Sequence, residues 1–279
     1  MNEFQVVQAL SGLPLGPLHF SQKTGSTNTD AASWVQEGAP DLALIISDEQ
    51  TAGRGRLGRT WHTPPGAALA FSLVLRPSSP HTSPSGTSSW SAARYTALGA
   101  LAVCQALSKH YDLDAMIKWP NDVLIVGKKV AGVLAEAQWE GSHLSAVVLG
   151  IGVNVTPASV PAAEQLNYPA TCVESVLGST VPRLELLRRI LVELLSWRER
   201  MWAAEFIHSW EQRLALRGQW VELRSENPSG AIYRQKGRVL GLDEAGCLKL
   251  QDAGGEVLTV SFGELHSPAR SSIIPVQDS

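Results

Sequence analysis

Apolar and polar residues alternate in several short stretches of the first 154 residues, and these stretches predict strands. Strands are predicted over residues 41–47 and 67–75, the second ending shortly before Pro77. Apolar runs on both sides of Gly127-Lys128-Lys129 predict a β-hairpin. Residues 147–154 predict a buried strand that contains two glycines and ends at an asparagine.

Apolar residues at helical spacing predict helices between and after these strands. The first covers residues 27–37, where Ser26 or Thr27 can cap it and Gly38 can end it. The same spacing predicts further helices over residues 95–110, from residues 171–177, and twice within residues 182–216 with a break near residues 202–205. The mixture of elements predicts the α+β class.

The remaining segments predict loops and a second, β-rich unit. Residues 78–89, rich in Pro, Ser, Thr and Gly, predict a mobile surface loop, and residues 156–169 predict another loop. After Arg217-Gly218, short strands separated by glycine and asparagine turns predict a small β-barrel. These strands are predicted over residues 220–224, 233–240, 247–250 and 257–261.

Composition narrows the class of protein. With 279 residues, the chain is long enough for one large domain and a small one, and its formal charge of −3 gives no general attraction for nucleic acid. No apolar run approaches the ~20 residues that cross a bilayer, and Met1-Asn2-Glu3 does not begin a signal peptide. Three scattered cysteines predict neither a disulfide framework nor a zinc site, and they favour the cytoplasm.

The segment Gly53-Arg54-Gly55-Arg56-Leu57-Gly58-Arg59 is the strongest chemical signal. Glycine lets a backbone approach a ligand closely, and the arginine fork matches carboxylate and phosphate oxygens. The segment matches G-x-G-x-x-G, but it leads into Pro64-Pro65-Gly66 rather than a helix, so a dinucleotide fingerprint is excluded. Alone, it also fits a solvated basic loop or an RGG-like nucleic-acid segment.

Three more motifs remove most of that ambiguity. They are Ser26-Thr27-Asn28, Lys118-Trp119-Pro120-Asn121-Asp122, and the glycine strand Gly150-Ile151-Gly152-Val153-Asn154. In their order and spacing, the four motifs resemble the biotin protein ligase family, whose signature is GRGRxGR followed by KWPND and GxGxN. The resemblance implies a mixed, largely antiparallel sheet flanked by helices, with a class II synthetase-like core. It also implies a catalytic domain over residues 1–215 and an SH3-like β-barrel over residues 216–279.

The resemblance implies a two-step ligase. Biotin and ATP, with Mg²⁺, would give biotinyl-5′-AMP, and a lysine of a biotin carboxyl carrier protein of a biotin-dependent carboxylase would then take the biotin. Only 25 residues precede Ser26, whereas a winged-helix unit needs three helices of about 11 residues, so we expect no DNA-binding domain and no DNA partner. No membrane partner is expected, whereas the metal ligands and the oligomeric state, a homodimer included, are left open.

The resemblance also assigns candidate residues. Lys118 and Arg56 would be catalytic, because their cations can offset the repulsion between a carboxylate and the α-phosphate. The residues expected to contact biotin are Ser26, Thr27, Asn28, Gln50, Gly53, Arg54, Gly55, Arg56 and Lys118. The residues expected to contact ATP or the adenylate are Arg56, Arg59, Trp61, Asn121 and Asn154.

Simpler interpretations of single residues remain. Ser26-Thr27-Asn28 alone is most often a helix cap, Asn154 can simply end its strand, and Asp122 can pair with a nearby lysine. Lys128 and Lys129 are interpreted as solvated residues at a hairpin tip. Two other functions also remain: a lipoate or octanoate ligase of the same superfamily, and a non-catalytic biotin sensor. The Ser26-Thr27-Asn28 set together with Gln50 favours a urea over a dithiolane.

Overall fold

The computed structural model describes residues 1–77, 92–166, 168–226 and 232–266, which form six α-helices and twelve strands. The helices are α1 (Glu3–Leu10), α2 (Thr27–Gln36), α3 (Ala92–Tyr111), α4 (Val173–Leu177), α5 (Arg183–Arg198) and α6 (Ala204–Gln212). The strands of the first half are β1 (Leu18–Thr24), β2 (Leu44–Gln50), β3 (Ala68–Leu75), β4 (Ala115–Lys118), β5 (Asp122–Ile125), β6 (Lys128–Glu140) and β7 (His143–Asn154). The last five are β8 (Trp220–Glu226), β9 (Ile232–Leu242), β10 (Leu248–Gln251), β11 (Val257–Val260) and β12 (Glu264–His266).

A seven-stranded sheet in the order β1-β2-β3-β7-β6-β5-β4 organises the first half of the chain. Strands β1 and β2 are parallel, and the other neighbours are antiparallel. The predicted mixed, largely antiparallel sheet flanked by helices is therefore confirmed.

The two faces of this sheet are buried by different helices, because alternate strand residues point in opposite directions. Ile45, Val74 and Val148 form a small cluster with residues of α2. Their neighbours Leu44 and Leu149 belong to the main core, which contains α3 and α5. Beyond the small cluster, this face carries Ser72, Gly150, Gly152 and Asn154 on β3 and β7, and these small or polar residues leave room for a pocket.

The second sheet has the order β11-β10-β9-β8-β12 and is antiparallel throughout. A closed barrel would require its outermost strands, β11 and β12, to pair. No pairing between them is present in the described part of the chain, so the predicted closed SH3-like barrel is not confirmed. The domain boundary at residue 215 stays a prediction.

The second sheet packs closely against the first part of the chain. The indole nitrogen of Trp119, which is almost fully buried, donates a hydrogen bond to the carbonyl oxygen of Gly246 at 3.2 Å. Gly246 has a φ of +85°, and a Cβ there would lie 2.5 Å from Trp210. Glycine is therefore required for the close packing of this turn against Trp210. Apolar residues of β8, β9 and β10 join the main core.

Several predicted elements match the structure. The hairpin, the glycine strand, the helix over residues 95–110 and the break between α5 and α6 are confirmed. The strand predicted over residues 41–47 was placed too early: β2 covers Leu44–Gln50, because Leu42 has a φ of +59° in the turn before it. Helix α1 and strands β1, β4 and β12 were not predicted, and residues 78–89 lie outside the described residues.

No helix in the described ranges is both long and apolar enough to cross a membrane.

Candidate active site

Two adjoining cavities lie on the α2 face of the large sheet. The larger has a volume of about 740 Å³ and the smaller about 90 Å³. They meet at a shared set of residues: Arg59, Thr60, Trp61, Asn121, Asp122, Lys129 and Glu264. The smaller cavity is lined by the predicted biotin residues Ser26, Thr27, Asn28, Gln50, Arg54, Gly55 and Arg56. The larger contains Lys118 and Asn154.

The start of α2 forms the polar end of the small cavity. Ser26 occupies the N-cap position, but its side chain makes no capping hydrogen bond. The Gln50 side-chain oxygen accepts from the backbone N–H of Thr27 at 2.9 Å, while its nitrogen donates to the Thr63 hydroxyl at 3.0 Å. Gln50 therefore takes over the capping role, and the buried Ser26 hydroxyl stays available to a ligand.

Asn28 is held in one orientation by neighbours on three strands. Its nitrogen donates to the Glu136 carboxylate at 2.8 Å, so its oxygen must face the Ser72 hydroxyl, 2.6 Å away. A Cβ at Gly150 would lie 2.0 Å from that oxygen, so the amide requires a glycine on β7. Sequence reasoning assigned no role to Glu136 or Ser72. Counting by two along β6 from Gly132 could have found Glu136, because residues 132, 134 and 136 share a face.

The arginine segment folds back on itself instead of entering a helix. The N–H of Trp61 donates to the Gly53 oxygen at 2.8 Å, and the N–H of Gly55 donates to the Arg59 oxygen at 2.7 Å. A Cβ at Gly53 would lie 2.4 Å from the Trp61 oxygen, which explains the glycine. Gly53 thus shapes the loop and does not line either cavity.

Each arginine of this loop has a partner within the protein. Arg54 forms a two-pronged pair with Glu136, at 2.6 and 3.3 Å. Arg59 pairs with Glu264 of β12. The Arg56 guanidinium donates to the Asn121 side-chain oxygen at 3.2 Å, and burial lowers the pKa of this guanidinium while Glu264 and Asp122 counteract that effect. Mutual repulsion among the arginines is therefore offset before any ligand binds.

Trp61 lies directly against two glycines of the sheet. A Cβ at Gly152 would come within 2.3 Å of the indole, and one at Gly132 within 3.1 Å. The indole nitrogen is buried and has no hydrogen-bond partner among the described residues. Ligand pockets usually measure about 300–1,000 Å³, so the small cavity, at about 90 Å³, is too small for a bicyclic ligand while the indole occupies this place.

Lys118 is only 7 % exposed at the end of β4. Its ammonium lies 4.2 Å from the centre of the Tyr168 ring, and its Cα stands opposite that of Asp122 across the β4–β5 pair. Burial lowers the pKa of Lys118, and the nearby charge of Asp122 raises it. A buried cation in a polar cavity is a candidate for anion binding.

The turn between β4 and β5 supplies the next polar groups. Asn121 donates to the Val133 oxygen at 3.2 Å and accepts from Arg56, so it joins the arginine loop to β6. Asp122 pairs with Lys129 at 2.6 Å, as the simpler interpretation of Asp122 expected. The interpretation of Lys129 as a solvated tip residue was wrong, because the antiparallel return of β6 carries it into both cavities.

The second sheet forms one wall of the large cavity. Arg224 of β8 and Glu264 and His266 of β12 line this wall. Burial lowers the pKa of His266, and the cations of Arg224 and Lys118 add to this effect. These residues were missed by sequence reasoning, because no local motif links β12 to the arginine loop.

One predicted ligand residue, Asn154, is also engaged in a structural contact. Asn154 donates to the Thr171 oxygen at 3.1 Å while lining the large cavity.

Within the described ranges, no group of three or more His, Cys, Asp or Glu residues could hold a metal ion.

Comparison with known proteins places this geometry in a family. Residues 20–154 match the profile of the Biotin/lipoate A/B protein ligase family. The chain is similar to the bifunctional ligase/repressor BirA of Bacillus spizizenii, with 32 % identity over 85 % of this chain and 70 % of the relative. It is also similar to the biotin–[acetyl-CoA-carboxylase] ligase of Paracoccus denitrificans, with 33 % identity over 84 % of this chain and 93 % of the relative.

A solved structure has the same fold. It is the biotin protein ligase of Aquifex aeolicus in complex with biotin and ATP, with 27 % identity and a TM-score of 0.71. The match covers 90 % of this chain and 97 % of the other.

Proposed function

Because the chain belongs to the biotin/lipoate A/B protein ligase family, we propose that it activates biotin with ATP to biotinyl-5′-AMP and transfers biotin to a lysine of a carrier protein. The observation that carries the proposal is the meeting of two cavities at the arginine loop. One ends in hydroxyl and amide groups, and the other contains the buried cation of Lys118.

The small cavity suits the urea end of biotin. A urea has two N–H donors and one carbonyl acceptor, so it needs acceptors and a donor at fixed positions. Ser26 and Thr27 offer hydroxyl groups, which can do both, and Gln50 and Asn28 are held in defined orientations. A dithiolane has no such groups, so this end favours biotin over lipoate.

The first step joins two anions. A carboxylate oxygen of biotin attacks the α-phosphorus of ATP, the bond to the bridging oxygen breaks, and pyrophosphate leaves. Lys118 and Arg56 would offset the repulsion and stabilise the charge on the phosphoryl oxygens, while Arg59, Trp61, Asn121 and Asn154 would hold the nucleotide. The burial of Lys118 strengthens this interaction, because less water screens it.

The second step transfers the acyl group. The neutral amine of the carrier lysine attacks the acyl carbon of the mixed anhydride, the bond to the AMP oxygen breaks, and the amine loses its proton. Water would hydrolyse the same anhydride, so a site closed by the arginine loop protects it.

Magnesium fits the donors of the large cavity. Asp122 and Glu264 line it, and magnesium bound to a nucleotide is usually held by one or two protein carboxylates in addition to phosphates and water. The ion would supply further charge neutralisation at the phosphates. Both carboxylates pair with cations here, with Lys129 and Arg59 respectively, so they would exchange these partners for the ion.

We also propose a cytoplasmic location and a carrier of a biotin-dependent carboxylase as the partner. The three cysteines are free thiols, and burial raises the pKa of the Cys104 thiol, which suits an unreactive core residue in a reducing compartment.

ATP–pyrophosphate exchange tests the proposal directly. We expect exchange with biotin and much less with lipoate or octanoate at equal concentrations. Exchange with lipoate or octanoate alone would identify the other ligase activity of the family. Biotin binding without any exchange would identify a sensor.

A further inference from the structure

The β8–β9 hairpin extends from the second sheet to the mouth of the large cavity. Alternate strand residues normally point to opposite faces, yet residues 232–236 are all exposed, so solvent reaches both faces of this end. Ile232 is 63 % exposed, and both it and Arg224 line the cavity. We call Arg224, Ile232, Arg234 and Lys236 the basic ribbon.

The three cations of the basic ribbon share the nearby carboxylate of Glu222, because the charges of Arg224, Arg234 and Lys236 all lower its pKa. Arg224 and Arg234 stand directly opposite each other in the β8–β9 register, and like charges in that position destabilise a strand pair. Glu222, opposite Lys236, is already bonded to Arg224. The side chains of Arg234 and Lys236 have no hydrogen bond or ion pair with any residue in the described ranges.

A basic projection at this place contrasts with the whole chain, whose formal charge is −3. The basic ribbon lies where a carrier protein can contact it. A carrier protein must bring a lysine to the cavity and must therefore touch the rim. Leu57, another exposed apolar side chain, lies on the arginine loop and also lines this cavity. Arginine and apolar residues that surround an entrance are typical of a protein interface.

We propose that the basic ribbon is the docking surface for an acidic face of the carrier protein. This inference rests on the proposed function and adds the surface and the charge of its partner. Docking there would place carboxylates of the carrier beside Arg234 and Lys236 and relieve their repulsion with Arg224. It would also guide the carrier to the cavity over a distance of about 10 Å at 0.1 M salt.

Charge reversal separates docking from adenylation. We would measure KM and kcat for a purified apo carrier domain of an acetyl-CoA carboxylase with Arg234→Glu and Lys236→Glu. The matched control is Lys249→Glu, a reversal on β10 of the same sheet. We expect the KM for the carrier domain to rise about tenfold or more in both ribbon variants and to stay near the unsubstituted value in the control.

The two half-reactions distinguish failure of this inference from failure of the proposed function. Pyrophosphate exchange and transfer of biotin to hydroxylamine should be unchanged in the ribbon variants, because neither uses the carrier. A carrier KM within twofold of the unsubstituted protein, with exchange intact, would overturn the docking surface alone. Absence of exchange in the unsubstituted protein would overturn the proposed function.

A charge swap identifies the partner. If the ribbon meets carboxylates, an Asp or Glu to Lys change on the carrier domain should restore a low KM with Arg234→Glu. A second measurement follows the binding of single-stranded DNA and RNA oligonucleotides. Loss of oligonucleotide binding in the ribbon variants, with an unchanged carrier KM, would assign the surface to nucleic acid and overturn the proposal.

Discussion

Burial makes Lys118 the most consequential single residue of the cavity. An ammonium that is 7 % exposed interacts with an anion more strongly than the same group in water. Lys118→Ala should therefore lower pyrophosphate exchange by about 100-fold or more, the usual loss for one preorganised electrostatic contact. Lys128→Ala, on the exposed hairpin tip, is the control. Near-normal exchange in a folded Lys118→Ala protein would contradict the assigned role.

The environment of Lys118 also predicts a pH dependence. Burial lowers its pKa, so the ammonium loses its proton at a pH below the usual lysine value of about 10.4. The rate of pyrophosphate exchange should thus be at its maximum below the lowered pKa and should fall as the pH rises through it. Lys118→Arg keeps its charge at high pH, so this decline should move to higher pH or disappear. An identical alkaline decline in both proteins would assign it to another group.

Glu136 gives a second prediction at this scale. Its carboxylate orients Asn28 and holds Arg54, although we expect it not to touch the substrate. Glu136→Gln should raise the KM for biotin by about tenfold, since charge-assisted hydrogen bonds contribute about 1.5–3 kcal/mol. The KM for ATP should change much less. Glu140→Gln, at the exposed end of β6, is the control, and an unchanged KM for biotin would reduce Glu136 to a structural residue.

At the scale of elements, the arginine loop is well ordered, yet we expect it to change conformation when a ligand binds. Its backbone is paired internally, and Arg54 and Arg59 are tied to carboxylates. The Trp61 indole nevertheless fills the space beside Gly132 and Gly152 in the small cavity. We therefore expect the loop to shift when biotin enters the small cavity.

We expect biotin to change both the protection of the loop and the environment of Trp61. Hydrogen exchange of residues 50–65 should slow with biotin, because a ligand that touches the arginines adds contacts to a loop with three glycines. Tryptophan fluorescence should change on binding, and the change should shrink in Trp61→Phe. Equal protection with and without biotin, and an equal fluorescence change in Trp61→Phe, would indicate a rigid, preformed site.

At the scale of the whole molecule, the second sheet both supports the core and completes the cavity. It supplies Glu264 and His266 to the cavity wall and covers the buried indoles of Trp119 and Trp210. Except for Glu264, the residues that line the small cavity lie between Ser26 and Gly152. The two sheets therefore contribute unequally to the two proposed substrates.

Truncation after residue 217 should weaken ATP use and carrier labelling more than biotin affinity. Exposure of Trp119 and Trp210 should also lower the free energy of unfolding, so circular dichroism must first show that the truncated protein is folded. Glu264→Gln in the full chain is the companion variant: it removes the charge that holds Arg59 while keeping the sheet. A folded truncation that loses biotin binding but still transfers preformed adenylate would refute this division.

Local sequence patterns were sufficient to predict the elements that form between residues close together in the chain. The β5–β6 hairpin follows from two apolar runs around Gly127, and the break between α5 and α6 follows from the interrupted spacing of leucines. The Gly-Arg segment indicated a loop that binds anions, because its glycines and guanidinium groups are adjacent in sequence. The family resemblance then supplied roles for these residues.

Only the tertiary structure decided which distant groups meet. Arg59 pairs with Glu264, 205 residues away, and Arg54 pairs with Glu136, 82 residues away. The pairing of distant strands depends on sheet order and on burial of the whole core, and no local period encodes either. Lys129 lines the cavity for the same reason. Strand β6 pairs antiparallel with β5, and Lys129 thereby forms an ion pair with Asp122. The sequence by itself thus determined the chemical groups of the site, whereas long-range packing determined their partners.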